Sequence, residues 1–252
     1  MSYEILNTFR KENLDSYLKE LAKEYRKLGG KAMPAEIILI GGAAIIANYG
    51  FRNMTTDIDA VIHAASVMKD AINNVGERLN LPIGWLNADF IHTLSYSPKL
   101  EEYSVYYKSF YGVLNVRTIS AEYLIVMKLC PGRKYKNDLS DIIGILYEHE
   151  KQNIPITMNK IREAVTNLYG KWEYISVDSQ KFIEDAMLLD NLEEVYTLIK
   201  SEEKHSKEIL VGFEQDYPGV MNAQNIDNIL YNLKKKEQSK SEILQELKSH
   251  LL

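Results

Sequence analysis

Cysteine is almost absent from this chain, and so is any long hydrophobic run. Cys130 is the single cysteine among 252 residues, which excludes an internal disulfide and fits a reducing compartment. No apolar stretch approaches the ~20 residues that a transmembrane helix needs. The N-terminus begins Met1-Ser2-Tyr3-Glu4 and continues with charged residues rather than a signal-peptide core. We therefore expect a cytoplasmic protein with no membrane partner.

An excess of positive charge is also lacking. The formal net charge is −5, so the surface as a whole does not indicate a nucleic-acid-binding protein. A local basic cluster, Arg133-Lys134-Lys136, is the exception that bears on function. The apolar and charged fractions, 46% and 26%, are ordinary for a globular chain, and the length suits one large domain or two small ones.

The periodicity of apolar residues predicts mixed helices and strands in the first part of the chain. Proline-containing Asn153-Ile154-Pro155 marks a change, after which only helical patterns occur. We therefore predict an α/β (α+β) fold with a mixed sheet flanked by helices at 1–152, and an all-helical domain at 153–252. The predicted helices are 13–28, 43–49, 66–79, 121–130, about 138–150, 157–169, 178–200, 221–236 and 239–251; the predicted strands are 36–40, 57–62, 104–110 and 112–119.

The most informative segment combines a glycine turn with two acidic residues. A buried strand ends at Gly41-Gly42, a short helix follows, and the next strand carries Asp57 and Asp59. Strand alternation places both carboxylates on one face, where a hard cation such as Mg²⁺ (or Mn²⁺) binds together with substrate phosphates. The glycines let backbone N–H groups approach an anion. Alternatively, the glycines only form a turn and the aspartates lie in water at a strand end.

This constellation resembles the nucleotidyltransferase superfamily related to DNA polymerase β, and within it the AbiEii-like and uncharacterised bacterial nucleotidyltransferases. The resemblance covers roughly the first 150 residues. It implies a nucleotidyltransferase-like fold and metal-dependent transfer of a nucleoside monophosphate from an NTP to an RNA, such as tRNA, or to a protein, in a toxin–antitoxin or phage-defence module. The supporting residues are Arg52, Thr56-Asp57-Ile58-Asp59, Trp85-Leu86-Asn87, Met127-Lys128-Leu129 and Arg133…Lys136-Asn137-Asp138-Leu139-Ser140-Asp141-Ile142.

Lys128 is unusual because it interrupts an otherwise apolar helix. Burying its ammonium group without a partner would be costly, so it either extends to water or reaches an anion. In the resembled families a lysine here faces the nucleotide, so we predict a catalytic role shared with Asp57 and Asp59. For nucleotide binding we predict Gly41, Gly42, Arg52, Thr56, Arg133, Asp138 and Asp141. Asp138 and Asp141 are explained equally well by a helix cap with a salt bridge to Arg133 or Lys136.

One carboxylate of the family pattern has no obvious counterpart. Active members have a third acid on a neighbouring strand, yet the polar residues of 112–117 are Asn115 and Arg117. Asp89 is a possible substitute, although the sequence does not fix its direction. The alternative function is therefore a catalytically weak or inactive nucleotide-binding protein, such as an antitoxin-like regulatory partner. A third alternative is an interaction protein in which the glycines and aspartates are incidental.

Overall fold

The computed structural model describes the backbone of residues 8–249 and the side chains of residues 8–237. Within that range, five strands form one mixed sheet in the order β3-β2-β1-β5-β4. Strand β1 runs antiparallel to β2 and parallel to β5, β3 runs parallel to β2, and β4 and β5 form a hairpin. The strands are β1 (Ala35–Leu39), β2 (Ile58–His63), β3 (Leu86–Asn87), β4 (Ser104–Phe110) and β5 (Leu114–Ile119).

Helices cover the sheet and continue to the end of the described chain. They are α1 (Lys11–Lys27), α2 (Gly41–Asn48), α3 (Val67–Leu79), α4 (Ala121–Leu129), α5 (Asp138–Lys151), α6 (Met158–Tyr169), α7 (Val177–Ala186), α8 (Leu192–Asp216) and α9 (Ile226–Ser249). The last three residues of the central strand β1, Ile37, Ile38 and Leu39, are all apolar and all buried, as expected for a strand covered on both faces. The predicted fold class is confirmed: a mixed sheet with flanking helices precedes a helical region.

Helix α1 shows how the sequence pattern produces the local structure. Leu14, Leu18, Leu21 and Tyr25 recur at helical spacing, and all four are buried against the rest of the core. Each such side chain contributes about 1.5–3 kcal/mol when fully removed from water. The chain leaves the helix through Gly29, whose φ of 102° is readily adopted only by glycine.

The C-terminal helices differ from the prediction in their boundaries. The single helix expected at 178–200 is divided into α7 and α8, because the Asn191 side chain accepts a hydrogen bond from Glu194 N and starts a new helix. The turn at Tyr217-Pro218-Gly219 is present after α8. In contrast, the break expected between 236 and 239 is absent, since α9 is continuous. Residues 250 and 251 of the last predicted helix lie outside the described residues.

The hydrophobic core extends across the predicted domain boundary. Buried residues on both sides of residue 152 belong to one cluster: Leu124, Ile125 and Leu129 come before the boundary, and Ile161 and Val165 after it. Helix α6 packs on α4, and α8 packs on α5. The division into 1–152 and 153–252 remains a prediction. No helix within the described residues is both long and apolar enough to cross a bilayer.

Candidate active site

The glycine pair forms the first turn of α2, directly after β1. Gly41 has a φ of 55°, in the left-handed region that favours glycine. A Cβ at Gly41 would lie 3.6 Å from Asp59 Oδ2, so the glycine turn and this carboxylate are neighbours. A Cβ at Gly42 would lie only 2.5 Å from Thr55 Oγ1 and 2.8 Å from Arg52 Nη2. Position 42 therefore needs glycine for these side chains to approach the helix start.

Asp57 and Asp59 flank the buried Ile58 at the beginning of β2. The strand is anchored there because Ile40 N donates to Asp59 O at 2.9 Å. Asp57 is exposed and Asp59 is half-buried, and both line the same cleft. Burial, followed by the charge of Asp57, raises the pKa of Asp59, although the Asn87 amide and Lys128 act in the opposite direction. A cation between the two carboxylates would relieve this repulsion.

Asp89 is brought to the same cleft by the short strand β3. Asn87 pairs with Asp59 across the β2–β3 ladder, and Asn87 Oδ1 accepts a hydrogen bond from Asp89 N at 2.9 Å. The negative charge of Asp89 also raises the pKa of Asp59. The sequence did not predict where the Asp89 side chain points, because β3 has only two residues and therefore no pattern of alternating apolar and polar positions.

The neighbouring strand β5 supplies no carboxylate. Asn115 is exposed and its Oδ1 accepts from Ser109 Oγ at 2.9 Å, so its side chain is engaged with the β4 hairpin. Arg117 donates to Ser104 Oγ and to Ser104 O, each at 2.7 Å. Neither residue lines the cleft that contains Asp57 and Asp59. Asp89 is therefore an additional acid on this cleft, and its charge acts on Asp59.

Lys128 reaches two buried carboxylates rather than water. Its Nζ lies 3.0 Å from Asp138 Oδ1 and 3.0 Å from Asp141 Oδ2. Arg52 Nη1 contacts Asp141 Oδ2 at 2.5 Å, and Arg133 Nε contacts Asp138 Oδ2 at 2.7 Å. Burial opposes the charge on Lys128, but Asp141 and Asp138 outweigh it and raise its pKa. Three cations thus share two carboxylates, which leaves a net positive charge beside the acidic residues.

The structure separates the predicted nucleotide-binding residues into two groups. Those that line the cleft are Gly41, Gly42, Arg52, Thr56, Arg133 and Asp138, and Lys128, predicted to be catalytic, lines it as well. Asp141 does not line it: it is 2% exposed and lies behind Lys128 and Arg52. Arg52 does not pair with Asp57, because its guanidinium is held by Asp141 and by Met54 O. Asp138 pairs with Lys128 and Arg133, and Asp141 pairs with Lys128 and Arg52.

Glu203 connects the C-terminal region to this network, and sequence reasoning did not identify it. Its Oε1 accepts hydrogen bonds from Leu139 N at 2.9 Å and Ser140 N at 3.2 Å, at the start of α5. Its Oε2 accepts from Ser140 Oγ at 2.5 Å. The side chain thus satisfies free N–H groups of the helix that carries Asp138 and Asp141. Burial raises the pKa of Glu203 to about 7, although the Ser140 hydroxyl and amide oppose the shift.

We expect the substitution Glu203→Gln to change how stability depends on pH. Because the folded pKa is above that of an unfolded glutamate, the native state binds more protons between pH 4.5 and pH 7. The native protein therefore loses up to about 3 kcal/mol from Glu203 ionisation as the pH rises through this window. Glutamine keeps an oxygen for the α5 amides and has no charge, so it removes this loss.

The measurement is urea unfolding of both proteins from pH 4.5 to pH 8. The unfolding free energy of the Gln variant minus that of the natural protein should increase with pH. Glu208→Gln, at an exposed position on the same helix, is the control for the loss of a glutamate charge from α8. If the unfolding free energies of the Glu203 variant and the natural protein change with pH in the same way, the raised pKa of Glu203 is contradicted.

The cleft has a volume of about 1620 Å³ and lies between the sheet edge and α8. One side carries Asp57, Asp59 and Asp89, and α8 contributes Lys200, Lys204 and Lys207. Within the described residues, no group of three acidic, histidine or cysteine side chains is arranged as a complete metal site. Two repelling carboxylates nevertheless fit Mg²⁺, which binds through one or two carboxylates together with waters and substrate phosphates.

Comparison with protein families gives one match. A family model described as "Nucleotidyltransferase of unknown function (DUF6036)" matches residues 16–182. The matched range contains the glycine turn, the Asp57–Asp59 pair and the ion-pair network around Lys128, and it ends before α8. Searches of curated proteins and of solved structures gave no significant match.

Proposed function

Because the chain belongs to the family of nucleotidyltransferases of unknown function, we propose that it transfers a nucleoside monophosphate from an NTP to an acceptor in a reaction that requires Mg²⁺ or Mn²⁺. The observation that carries this proposal is the proximity of the glycine turn to the acidic pair. A Cβ at Gly41 would lie 3.6 Å from Asp59 Oδ2, and Gly41, Asp57 and Asp59 line one cleft. A phosphate-binding turn and a cation-binding pair thus share one space.

Asp57 and Asp59 are the residues that would hold the divalent cation, and Asp89 is close enough to influence Asp59. When bound, such a cation neutralises phosphate charge and orients the reacting oxygens. The raised pKa of Asp59 supports this assignment. Its ionised form is destabilised by burial and by Asp57, and a bound cation would stabilise that ionised form. Asp57 and Asp59 are half-buried or exposed, so the pair is accessible to a nucleotide without rearrangement of the core.

The triphosphate is held by the glycine turn and by the cations of the opposite wall. Gly41 and Gly42 line the cleft at the start of α2, where backbone N–H groups bind an anion, and Thr56 lines the same cleft. Lys128 and Arg133 line the cleft and offset the charge that develops on the phosphates. Asp138 and Asp141 act as positioning residues, because they fix Lys128, Arg133 and Arg52 through ion pairs.

The transfer step exchanges one phosphorus–oxygen bond for another. The acceptor hydroxyl oxygen forms a bond to the α-phosphorus, and the bond from the α-phosphorus to the oxygen that bridges to the β-phosphate breaks. Pyrophosphate leaves with that oxygen and its electron pair. The hydroxyl proton passes to a carboxylate of the cleft or to solvent. No redox change occurs, and the acceptor gains one nucleoside monophosphate.

The resemblance to AbiEii-like proteins supports an RNA or a protein as the acceptor and a toxin–antitoxin or phage-defence setting. The test is incubation with each of four α-³²P-labelled NTPs, Mg²⁺ or Mn²⁺, and either total RNA or a protein mixture. We expect label in one acceptor fraction only, with one preferred base, and no label in the presence of EDTA. Metal-independent labelling, or no labelling with any pair, would contradict the proposal.

A second candidate is a nucleotide-binding protein without transfer activity. The observation that favours it is the lack of a carboxylate on β5, where Asn115 and Arg117 occupy the polar positions. This candidate predicts tight, Mg²⁺-dependent binding of an NTP by calorimetry, with no release of pyrophosphate in the presence of any acceptor. The labelling experiment therefore separates the two candidates.

A further inference from the structure

We infer that the acceptor is a single-stranded nucleic acid whose phosphates bind the lysines of α8; this inference rests on the proposed function and names its second substrate. Lys200, Lys204 and Lys207 recur at intervals of four and three residues, which places them on one helix face. All three are exposed and all three line the cleft that contains Asp57 and Asp59. The face spans about 10 Å along the helix axis.

These lysines carry charge that the described part of the chain does not neutralise. Lys207 has no carboxylate within 4 Å among residues 8–237, and Lys200 donates only to the Tyr196 hydroxyl, at 2.8 Å. Lys204 has one distant partner, Glu208 Oε1 at 3.8 Å, on an exposed surface where such a pair contributes little. The two α8 acids that line the cleft accept backbone hydrogen bonds: Glu203 from Leu139 N and Ser140 N, and Glu214 from Gly219 N.

The cleft is also larger than a nucleotide requires. Small-molecule sites usually enclose about 300–1000 Å³, whereas this cleft measures about 1620 Å³. An NTP held by the glycine turn and the acidic pair would leave the α8 side of the cleft open. The remaining space is lined by the three lysines of α8. It belongs to the same cleft as Asp57 and Asp59.

Aromatic side chains in the cleft favour a nucleic acid over an acidic protein segment. Tyr135 and Phe90 line the cleft, and both residues are half-buried. A positively charged groove combined with aromatic rings is the arrangement that binds single strands, because phosphates pair with the cations and bases stack on the rings. The negative net charge of the chain does not oppose this, since Lys200, Lys204 and Lys207 lie together on the α8 side of the cleft.

The test measures binding of the full chain to a fluorescein-labelled single strand of about 15 nucleotides, as RNA and as DNA of the same sequence. The variant Lys204→Ala/Lys207→Ala is compared with Lys11→Ala/Lys160→Ala, which removes two exposed lysines that do not line the cleft. We expect the cleft variant to bind roughly tenfold more weakly at 0.1 M salt, and its salt-dependence slope to fall by about 1.4, for two lost phosphate contacts. The control should match the natural protein.

Two results would overturn the inference: no binding of either strand by the natural protein, or equal weakening in the cleft and control variants. The comparison of RNA with DNA identifies the sugar that is preferred. Label transferred from an NTP to protein, with no strand bound, would overturn the inference and leave the proposed function standing. Lysine-dependent binding of a strand that never becomes labelled would show that α8 binds nucleic acid, but it would overturn the inference that this strand is the acceptor.

Discussion

The double substitution Asp57→Asn/Asp59→Asn is expected to lower nucleotide transfer by at least about 1000-fold, equivalent to about 4 kcal/mol of transition-state stabilisation. Asparagine has nearly the same shape as aspartate and carries no charge, so the variant removes the cation-binding pair with little change in packing. Initial rates of transfer with the preferred NTP and saturating acceptor provide the measurement. Because the charges repel in the absence of a cation, we expect the variant to be at least as stable as the natural protein.

The control for this experiment is Asp185→Asn, an exposed position on α7 that is remote from the cleft. It should retain the full rate. Thermal unfolding of each protein separates loss of chemistry from loss of fold. A double variant that unfolds normally and transfers nucleotide within tenfold of the natural rate would contradict the catalytic role of Asp57 and Asp59.

The second large effect is expected from Lys128→Met, which leaves two buried carboxylates with fewer partners. Breaking a buried ion pair by removing one partner costs about 3–5 kcal/mol. Arg52 and Arg133 remain bound to Asp141 and Asp138, so we expect a loss near the lower end, about 3 kcal/mol of unfolding free energy. Methionine fills a similar volume, and the loss therefore reports the charge rather than a cavity.

Chemical unfolding at pH 7 measures this loss, with Lys151→Ala as the matched control. Lys151 pairs with Glu148 at 3.1 Å on the exposed side of α5, where an ion pair contributes less than about 1 kcal/mol. If Lys128→Met unfolds like the control, the buried network does not stabilise this fold.

Much of the fold was predictable because it depends on local patterns. The amphipathic spacing of α1, the apolar run of β1 and the strand alternation after Asp57 each fix an element from residues close in sequence. The pairing of the glycine turn with the acidic residues was also accessible, since only one short helix separates the two strands. The burial of Lys128 was indicated by its position within an apolar helix.

The remainder depends on contacts between distant parts of the chain. The position of Asp89 follows from the two-residue pairing of β3 with β2, for which a hydrophobic period gives no signal. The role of Glu203 requires α8 to pack on α5, 63 residues earlier in the sequence. The division between α7 and α8 follows from a single cap at Asn191, which the apolar spacing of 178–200 does not reveal. These features are set by tertiary packing and by turn chemistry.

The link between Glu203 and α5 has a consequence for the design of shorter fragments. The family match ends at residue 182, which makes that position an attractive place to truncate the chain for expression. Such a fragment would lose α8, expose the first turn of α5 to solvent and remove the carboxylate that accepts from Leu139 and Ser140. The aspartates that anchor Lys128 would then lie at a frayed helix end, so a fragment that keeps the Glu203 contact with α5 has to include α8, which ends at residue 216.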